Sequence, residues 1–289
     1  MNKTIGLVTM EKMDNRIENT VGSSRIRMRW LLPYWDEAEE YVIGKKYDVM
    51  VFQKVYWGSM MDAFEGIKIL DLCDPDWLEN KPVFEFVDKV DAVTTSTEAL
   101  AKYVKKMRPN ALVKCIPDRV YLPESVPIKT EHSEKIKSIA WFGYVHNSYY
   151  LQRTYDVLMD KGYEFIIIAD QPIEPPLAYR GKIRIQNVGY NYNTLNKEIV
   201  KADVVLMPDA FGDERAKYKS NNKTLHAWSL GMPVIKVPED FERLATKEAR
   251  EKESQDKLQE IKEKWDVGIS AQEYKDLIEE IKQKKNNVA

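Results

Sequence analysis

The 289-residue sequence holds only two cysteines, Cys73 and Cys115. Each falls within or beside an apolar run that reads as a strand, which fits reduced core thiols better than a disulfide or metal framework. A reducing, cytoplasmic setting follows. Excess charge of one sign is missing too: 31% of residues are charged, yet the formal net charge is −2. No global field then draws the chain to nucleic acid or membrane, and any basic site has to be local. No apolar run approaches the ~18 residues of a membrane span. Met1-Asn2-Lys3-Thr4 leads directly into a strand, without the apolar core of a signal peptide, so a soluble chain is expected. No repeat of fixed period is present.

What is there is enough apolar content, 44%, for two hydrophobic cores, each of roughly 130 residues. In the first half, strand-like runs at Ile5–Met10, Tyr47–Val55, Ile67–Leu72, Asp91–Ser96 and Leu112–Ile116 alternate with helical stretches. Those stretches are Ile26–Trp35, Ser59–Phe64, Pro82–Val90 and Thr97–Met107, the last with Thr97 as N-cap. Such alternation predicts a parallel sheet covered on both faces. Residues 121–135 lack apolar period and are rich in Pro, Lys and Glu, as a linker is. A second alternation follows: strands at Ser138–Phe142, Glu164–Ala169 and Ile183–Val188, helices at Tyr149–Asp160 and Thr194–Lys201. From Glu239 to Lys264 more than half the residues are charged, which predicts a long, mostly exposed helix. Gln272–Lys285 reads as a closing helix.

The most informative stretch runs from Asp203 to Val237. Two short apolar runs, Val204–Met207 and Val234–Val237, flank a helix expected to start near Ser220 or Asn221. Its N-terminus falls at the carboxyl end of a strand, where open α/β sheets bind ligands. Lys219 and Lys223 flank it, so free N–H groups, the helix dipole and two ammonium groups make an anion site, for phosphate. A simply capped helix with two solvated lysines is the plainer reading of the same spacing.

The run KSNNKTLHAWSLGMPVI resembles the K-S-x-x-K-x-x-E-x-x-x-x-G-x-P-V-I signature of retaining glycosyltransferases of the GT-B fold, family 4 in particular. DAVTTSTEAL with IPDRV is similar to the end of a GT-B N-terminal domain, with Asp118-Arg119 in place of Asn-Gly. The resemblance implies an α/β chain of two Rossmann-like domains, parallel sheets with a nucleotide-binding cleft between them. The expected boundaries are 1–120 for the acceptor-side domain, 121–135 for the linker and 136–270 for the nucleotide-sugar donor domain. A C-terminal helix, 271–289, would pack back on the first domain. Trp265-Asp-Val-Gly-Ile-Ser resembles a late strand of the family.

By the same resemblance, Lys219, Lys223 and Asp209 are the catalytic candidates. Asp209-Ala-Phe211-Gly212 resembles E-x-F-G, one methylene short at its acid, and Ser220, Asn221 and Asn222 would grip the diphosphate. His226 stands where the family has the Glu that holds the ribose; its plainer role is a helix residue bonded inside the domain. Gly143 would admit the donor phosphate, and Gly189 with Tyr190 the base. Gly143 also reads as an ordinary turn. His146 is a turn residue before it is a catalytic one. On the acceptor side, Gly22, Ser23, Ser24 and Arg25 form a glycine-containing loop before a helix, where capping alone explains both serines. Asp71, Asp74 and Asp76 read as a solvated acidic turn rather than a cation site.

Together these imply transfer of a sugar from a nucleoside diphosphate, UDP before GDP, with no metal or other cofactor required. A non-catalytic nucleotide-sugar-binding module and a DNA-base-modifying transferase are the alternatives, with an epimerase of the same fold behind them. For the second, RIRMR, KYVKKMR and KYKSNNK would contact the nucleic-acid backbone. Arg25–Trp35 is the one segment suited to peripheral membrane contact, unless it packs Trp30, Leu31 and Tyr34 inward.

Overall fold

The structure is a computed structural model and describes residues 4–10, 21–123, 126–209 and 214–287; the side chain of Arg153 is outside that description. Short apolar runs bounded by turn residues become strands, two of them, Ile67–Leu72 and Glu164–Ala169, over the ranges expected. The first series is β1 (Ile5–Thr9), α1 (Gly22–Arg27), β2 (Ala38–Glu40), β3 (Val49–Gln53), α2 (Gly58–Ala63), β4 (Ile67–Leu72), α3 (Val83–Val87), β5 (Ala92–Thr95), α4 (Glu98–Met107) and β6 (Val113–Cys115). Its six strands form a parallel sheet in the order β2-β1-β3-β4-β5-β6, which places a topological switch point between β1 and β3.

The second series is β7 (Ser138–Gly143), α5 (Tyr155–Lys161), β8 (Glu164–Ala169), β9 (Arg184–Gly189), α6 (Tyr192–Ile199), β10 (Val204–Leu206), α7 (Asn222–Ser229), β11 (Val234–Ile235), α8 (Asp240–Arg243) and α9 (Lys247–Lys264). Its sheet is parallel in the order β11-β10-β7-β8-β9, with the switch point between β7 and β10. Both sheets are therefore of the open α/β kind expected.

The chain divides into two compact units. The first comprises the described residues of 1–121, 213–220 and 265–289; the second those of 122–212 and 221–264. In the first, the two-residue period sorts the strands onto two faces. Ile5, Leu7, Val49, Val51, Ile67 and Ile69 pack with Trp30, Leu31, Trp35 and the last helix, α10 (Val267–Asn286). Val8, Met50, Phe52, Leu70 and Leu72 pack with Met61, Val83, Phe86 and Val104 of α2, α3 and α4. In the second unit one core runs through β7, β8 and β10 to the helices. Gly231, which leads into β11, has φ +70°, and a Cβ there would run into the Lys129 carbonyl, so only glycine makes this turn.

Several elements differ from the sequence expectation. The helix read over Ile26–Trp35 is α1, ending at Arg27, followed by a 3₁₀ turn over Arg29–Tyr34 that contains Pro33, a residue without an N–H. Likewise Tyr149–Asp160 is split into a 3₁₀ stretch, Val145–Arg153, and α5. The expected strand at Trp265–Ser270 reduces to a single bridge between Val120 and Asp266. Asp266 then accepts a hydrogen bond from the Gly268 N–H and starts α10 five residues before Gln272. The charged stretch after Glu239 is broken into α8 and α9, and α9 is less exposed than its composition suggests. Arg250 is fully buried, donating to the Leu244, Ala245 and Ser133 carbonyls. Among the described residues no helix is long and apolar enough to cross a membrane.

Candidate functional site

The second sheet's switch point is marked by Gly143, the last residue of β7, and by the loop that leaves β10 at Met207. Lys223, in the first turn of α7, reaches across to Gly143. A Cβ on Gly143 would lie 2.5 Å from Lys223 Nζ, so glycine is what lets the ammonium occupy this position. The same ammonium stands over the Trp141 ring, 5.6 Å from its centroid. α7 begins at Asn222, after Asn221, as expected. Its first-turn N–H groups and Lys223 thus lie at the carboxyl end of the central strand, a place suited to an anion.

His226, one turn further along α7, meets Asn196 of α6, Nε2 to Oδ1 at 2.7 Å, and its ring sits edge-on to Phe142 at 5.6 Å. With Asn196 presenting its oxygen, Nε2 is the donor. The sequence-adjacent candidates are more open. Gly189 closes β9 in register with Ala169 and Gly143; it is exposed, and nothing lies within 4 Å of where its Cβ would be. Tyr190 follows it, 38% exposed, its N–H bonded to the Ala169 carbonyl. His146 stacks on Tyr144 with ring centroids 5.5 Å apart. Asp209 is exposed, while Phe211 and Gly212 lie outside the described residues.

Lys219 and Ser220 belong to the first unit. Lys219 Nζ pairs with Asp74 Oδ1 at 3.0 Å, and Ser220 Oγ donates to Asp118 Oδ2 at 2.5 Å. The structure therefore gathers Lys223, Gly143, Asn221 and Asn222 in one unit and holds Lys219 and Ser220 on carboxylates of the other. At the first sheet's switch point, α1 starts after Val21, whose side chain cannot cap, so neither Ser23 nor Ser24 is the cap. Ser24 is buried and donates to Gln53 Oε1 at 3.2 Å, at the end of β3. Gly22 heads α1, and Arg25 lies buried with its guanidinium 6.0 Å from the centre of the Trp30 ring.

The acidic turn is not solvated. Asp71 is fully buried and takes a forked pair from Arg27, at 2.6 and 3.1 Å, plus the Thr94 and Tyr274 hydroxyls at 2.7 and 2.8 Å. Asp74 lies between Lys54, at 2.7 Å, and Lys219. Burial raises its pKa, but the two ammonium groups outweigh that and hold the carboxyl below its usual range. Asp76, also buried, is bonded by the Tyr56 hydroxyl at 2.8 Å and faces Lys54 and Lys81. Lys54 itself has φ +53°, rare for a residue with a side chain, at the end of β3. Among the described residues no group of three or more His, Cys, Asp or Glu could hold a metal ion.

The sequence matches no protein-family model and no curated protein. Solved structures resemble it in shape. HepE from Anabaena, in complex with UDP and glucose, aligns with a TM-score of 0.58 at 11% identity, over 96% of this chain and all of that one. The DNA-modifying enzyme beta-glucosyltransferase, solved with and without uridine diphosphoglucose, gives 0.52 at 13% identity, over 97% and 94% of the two chains. The fold is that of the GT-B glycosyltransferases. A structure of accessory secretory proteins 1, 2 and 3 from Streptococcus pneumoniae gives 0.55 at 14% identity. There the match takes in 84% of this chain, which spans only about half, 54%, of that one.

On this GT-B frame, sequence reading missed the buried set of Arg27, Asp71 and Asp118. Trp30 and Leu31 pack inward, as the plainer reading of that segment expects, while Tyr34 stays exposed; Arg25, Arg27 and Arg29 of RIRMR are all buried rather than available to a nucleic-acid backbone. The available signal was Asp71 inside the apolar run IKILDL. A carboxylate in a buried strand needs a cation, and Arg27 is that cation.

Proposed function

We propose that the protein is a glycosyltransferase that moves a sugar from a nucleoside diphosphate to an acceptor hydroxyl, with the diphosphate held at the N-terminus of α7. The observation that carries this reading is the meeting of Lys223 and Gly143 at the switch point of a GT-B-like second sheet. UDP is favoured over GDP, in keeping with neighbours solved with UDP or uridine diphosphoglucose. As the glycosidic C–O bond of the donor breaks, negative charge builds on the β-phosphate. A cation and N–H donors preorganised there act mostly on the transition state. Lys223 is the residue given that role, with Asn221 and Asn222 beside it. In a retaining, front-face course the acceptor oxygen bonds to the anomeric carbon on the side the phosphate leaves, and its proton passes to the departing phosphate. No separate general base is needed. The free thiols of Cys73 and Cys115 support a cytoplasmic setting.

A panel of UDP, GDP and ADP and their sugars in a thermal shift tests the reading, since ligand at 100 times its Kd adds about 2.7 kcal/mol. A uridine nucleotide is expected to respond; no response across the panel contradicts the site. A second reading, a nucleotide-sugar-binding module without turnover, draws on His226. Its Nε2 is engaged by Asn196, so the family's ribose contact is altered. Release of UDP from UDP-sugar on adding acceptor separates the two.

A further inference from the structure

Within the second unit, two residues of β7 close on one ammonium. Trp141 and Gly143 are two positions apart on that strand, and so on the same face of the sheet. A Cβ on Gly143 would lie 2.5 Å from Lys223 Nζ and 3.0 and 3.1 Å from Trp141 Cζ2 and Cη2. The glycine, the edge of the indole and the lysine head thus share one niche, with the ammonium 5.6 Å from the centre of the ring. Trp141 is 3% exposed, packed into the core and in register with Ile167 of β8, so its ring is a fixed wall. Lys223, by contrast, is half-buried and carries its charge on a flexible four-carbon stem, whose seating costs rotamer freedom. An indole face attracts an ammonium through its quadrupole but, unlike a carboxylate, brings no charge that would neutralise it. All three residues belong to the same unit.

We propose that Trp141 is a positioning residue for diphosphate binding: its ring holds the Lys223 ammonium in the niche that Gly143 leaves open, so that this side chain is ordered before the phosphates arrive. This rests on the reading of the α7 start as the diphosphate site. Trp141 touches no ligand in this account. An ordering cost met in the free protein is not charged again on binding, and because the ring acts through Lys223, the gain falls on the phosphates and not on the nucleoside.

The test is calorimetric titration of the full chain with UDP and with uridine, in the wild type and in Trp141→Leu, Trp141→Phe, Lys223→Ala and the double variant Trp141→Phe/Lys223→Ala. Trp141→Leu removes the ring and is expected to weaken UDP roughly 3- to 10-fold, the size of a partly buried cation–π contact, and to leave uridine unchanged. Trp141→Phe keeps a smaller face and should fall between that variant and the wild type. In the Lys223→Ala background, replacing Trp141 by Phe should change UDP affinity no further, since the ammonium it acts on is gone; a loss that came only from disturbed packing would persist there. Should Trp141→Leu fail to fold, Trp141→Phe with and without Lys223 carries the test alone. UDP affinity equal to or tighter than wild type in a folded Trp141→Leu, or in Trp141→Phe where the leucine variant does not fold, overturns the proposal, and so does an equal loss in the Lys223→Ala background. Lys223→Ala serves as the reference: if it loses UDP while the Trp141 variants do not, the diphosphate reading stands and only the positioning role falls. If Lys223→Ala binds UDP normally, the underlying reading is what fails.

Discussion

The ammonium of Lys223 lies where a side chain on Gly143 would have to be, 2.5 Å from an ideal Cβ. Gly143→Ala therefore displaces Lys223, and the Trp141 ring, 3.0 Å from the same point, blocks part of the remaining space. Because the lysine end is flexible, the fold should lose only about 1 kcal/mol. UDP affinity should fall roughly tenfold, the size of one net charged contact. Chemical denaturation and titration measured side by side check this; a variant with unchanged UDP affinity separates Gly143 from the site.

His226→Ala removes the bond to Asn196 and the contact with Phe142. Stability is expected to drop by about 1 kcal/mol, as for one hydrogen bond, while UDP affinity changes less than about threefold. An unchanged melt with strongly weakened UDP binding would instead assign His226 to the ribose.

Arg27 balances Asp71 and Asp118, and its side chain is 3% exposed. Arg27→Met leaves two buried carboxylates without their cation and should cost about 3 to 5 kcal/mol. Arg27→Lys should recover little, since the fork on Asp71 is lost. Urea unfolding reads both. Near wild-type stability in Arg27→Met would mean that the carboxylates find water or other partners.

These variants mark where the sequence was legible. β4 and β8 could be read because a short apolar run between turns has one outcome in a parallel sheet, and the Thr97 cap holds as expected, accepting from the Leu100 N–H at 3.2 Å. α7 starts at Asn222, where the sequence placed it, although the Asn221 side chain makes no cap hydrogen bond. Pairings between distant residues were not legible. Arg27 and Asp71 are 44 positions apart, and Ser220 and Asp118 are 102 apart, and no period in the sequence announces them. The three-residue strand β2 was missed because Ala-Glu-Glu carries no strand signal of its own; its place beside β1 decides it.

His132 carries a pH dependence. It is 4% exposed, and among the described residues neither ring nitrogen has a hydrogen-bond partner. Burial first, then Lys129 and Arg250, with Lys247 adding and Asp203 opposing, lower its pKa from 6.5 to about 4. The neutral ring is the folded form. Stability is thus intact above pH 6.5, falls as the unfolded chain takes up a proton below it, and levels off for this group below about 4. The loss is at most about 3 kcal/mol. Urea midpoints at pH 7.5 and 5 should differ less in His132→Phe than in the wild type; an equal difference in both would place the acid sensitivity elsewhere.

The central claim is that Lys223 and the start of α7 hold a diphosphate. Its most direct test is calorimetric titration of UDP and of uridine into the wild type and Lys223→Ala. Lys223 is half-buried in the first turn of its helix, so the variant should melt within about 0.5 kcal/mol of the wild type. The account predicts that UDP affinity falls roughly 10- to 100-fold on losing a hydrogen-bonded charge, while uridine binds both proteins equally. Equal UDP affinity in the two proteins, with the variant folded, would contradict it.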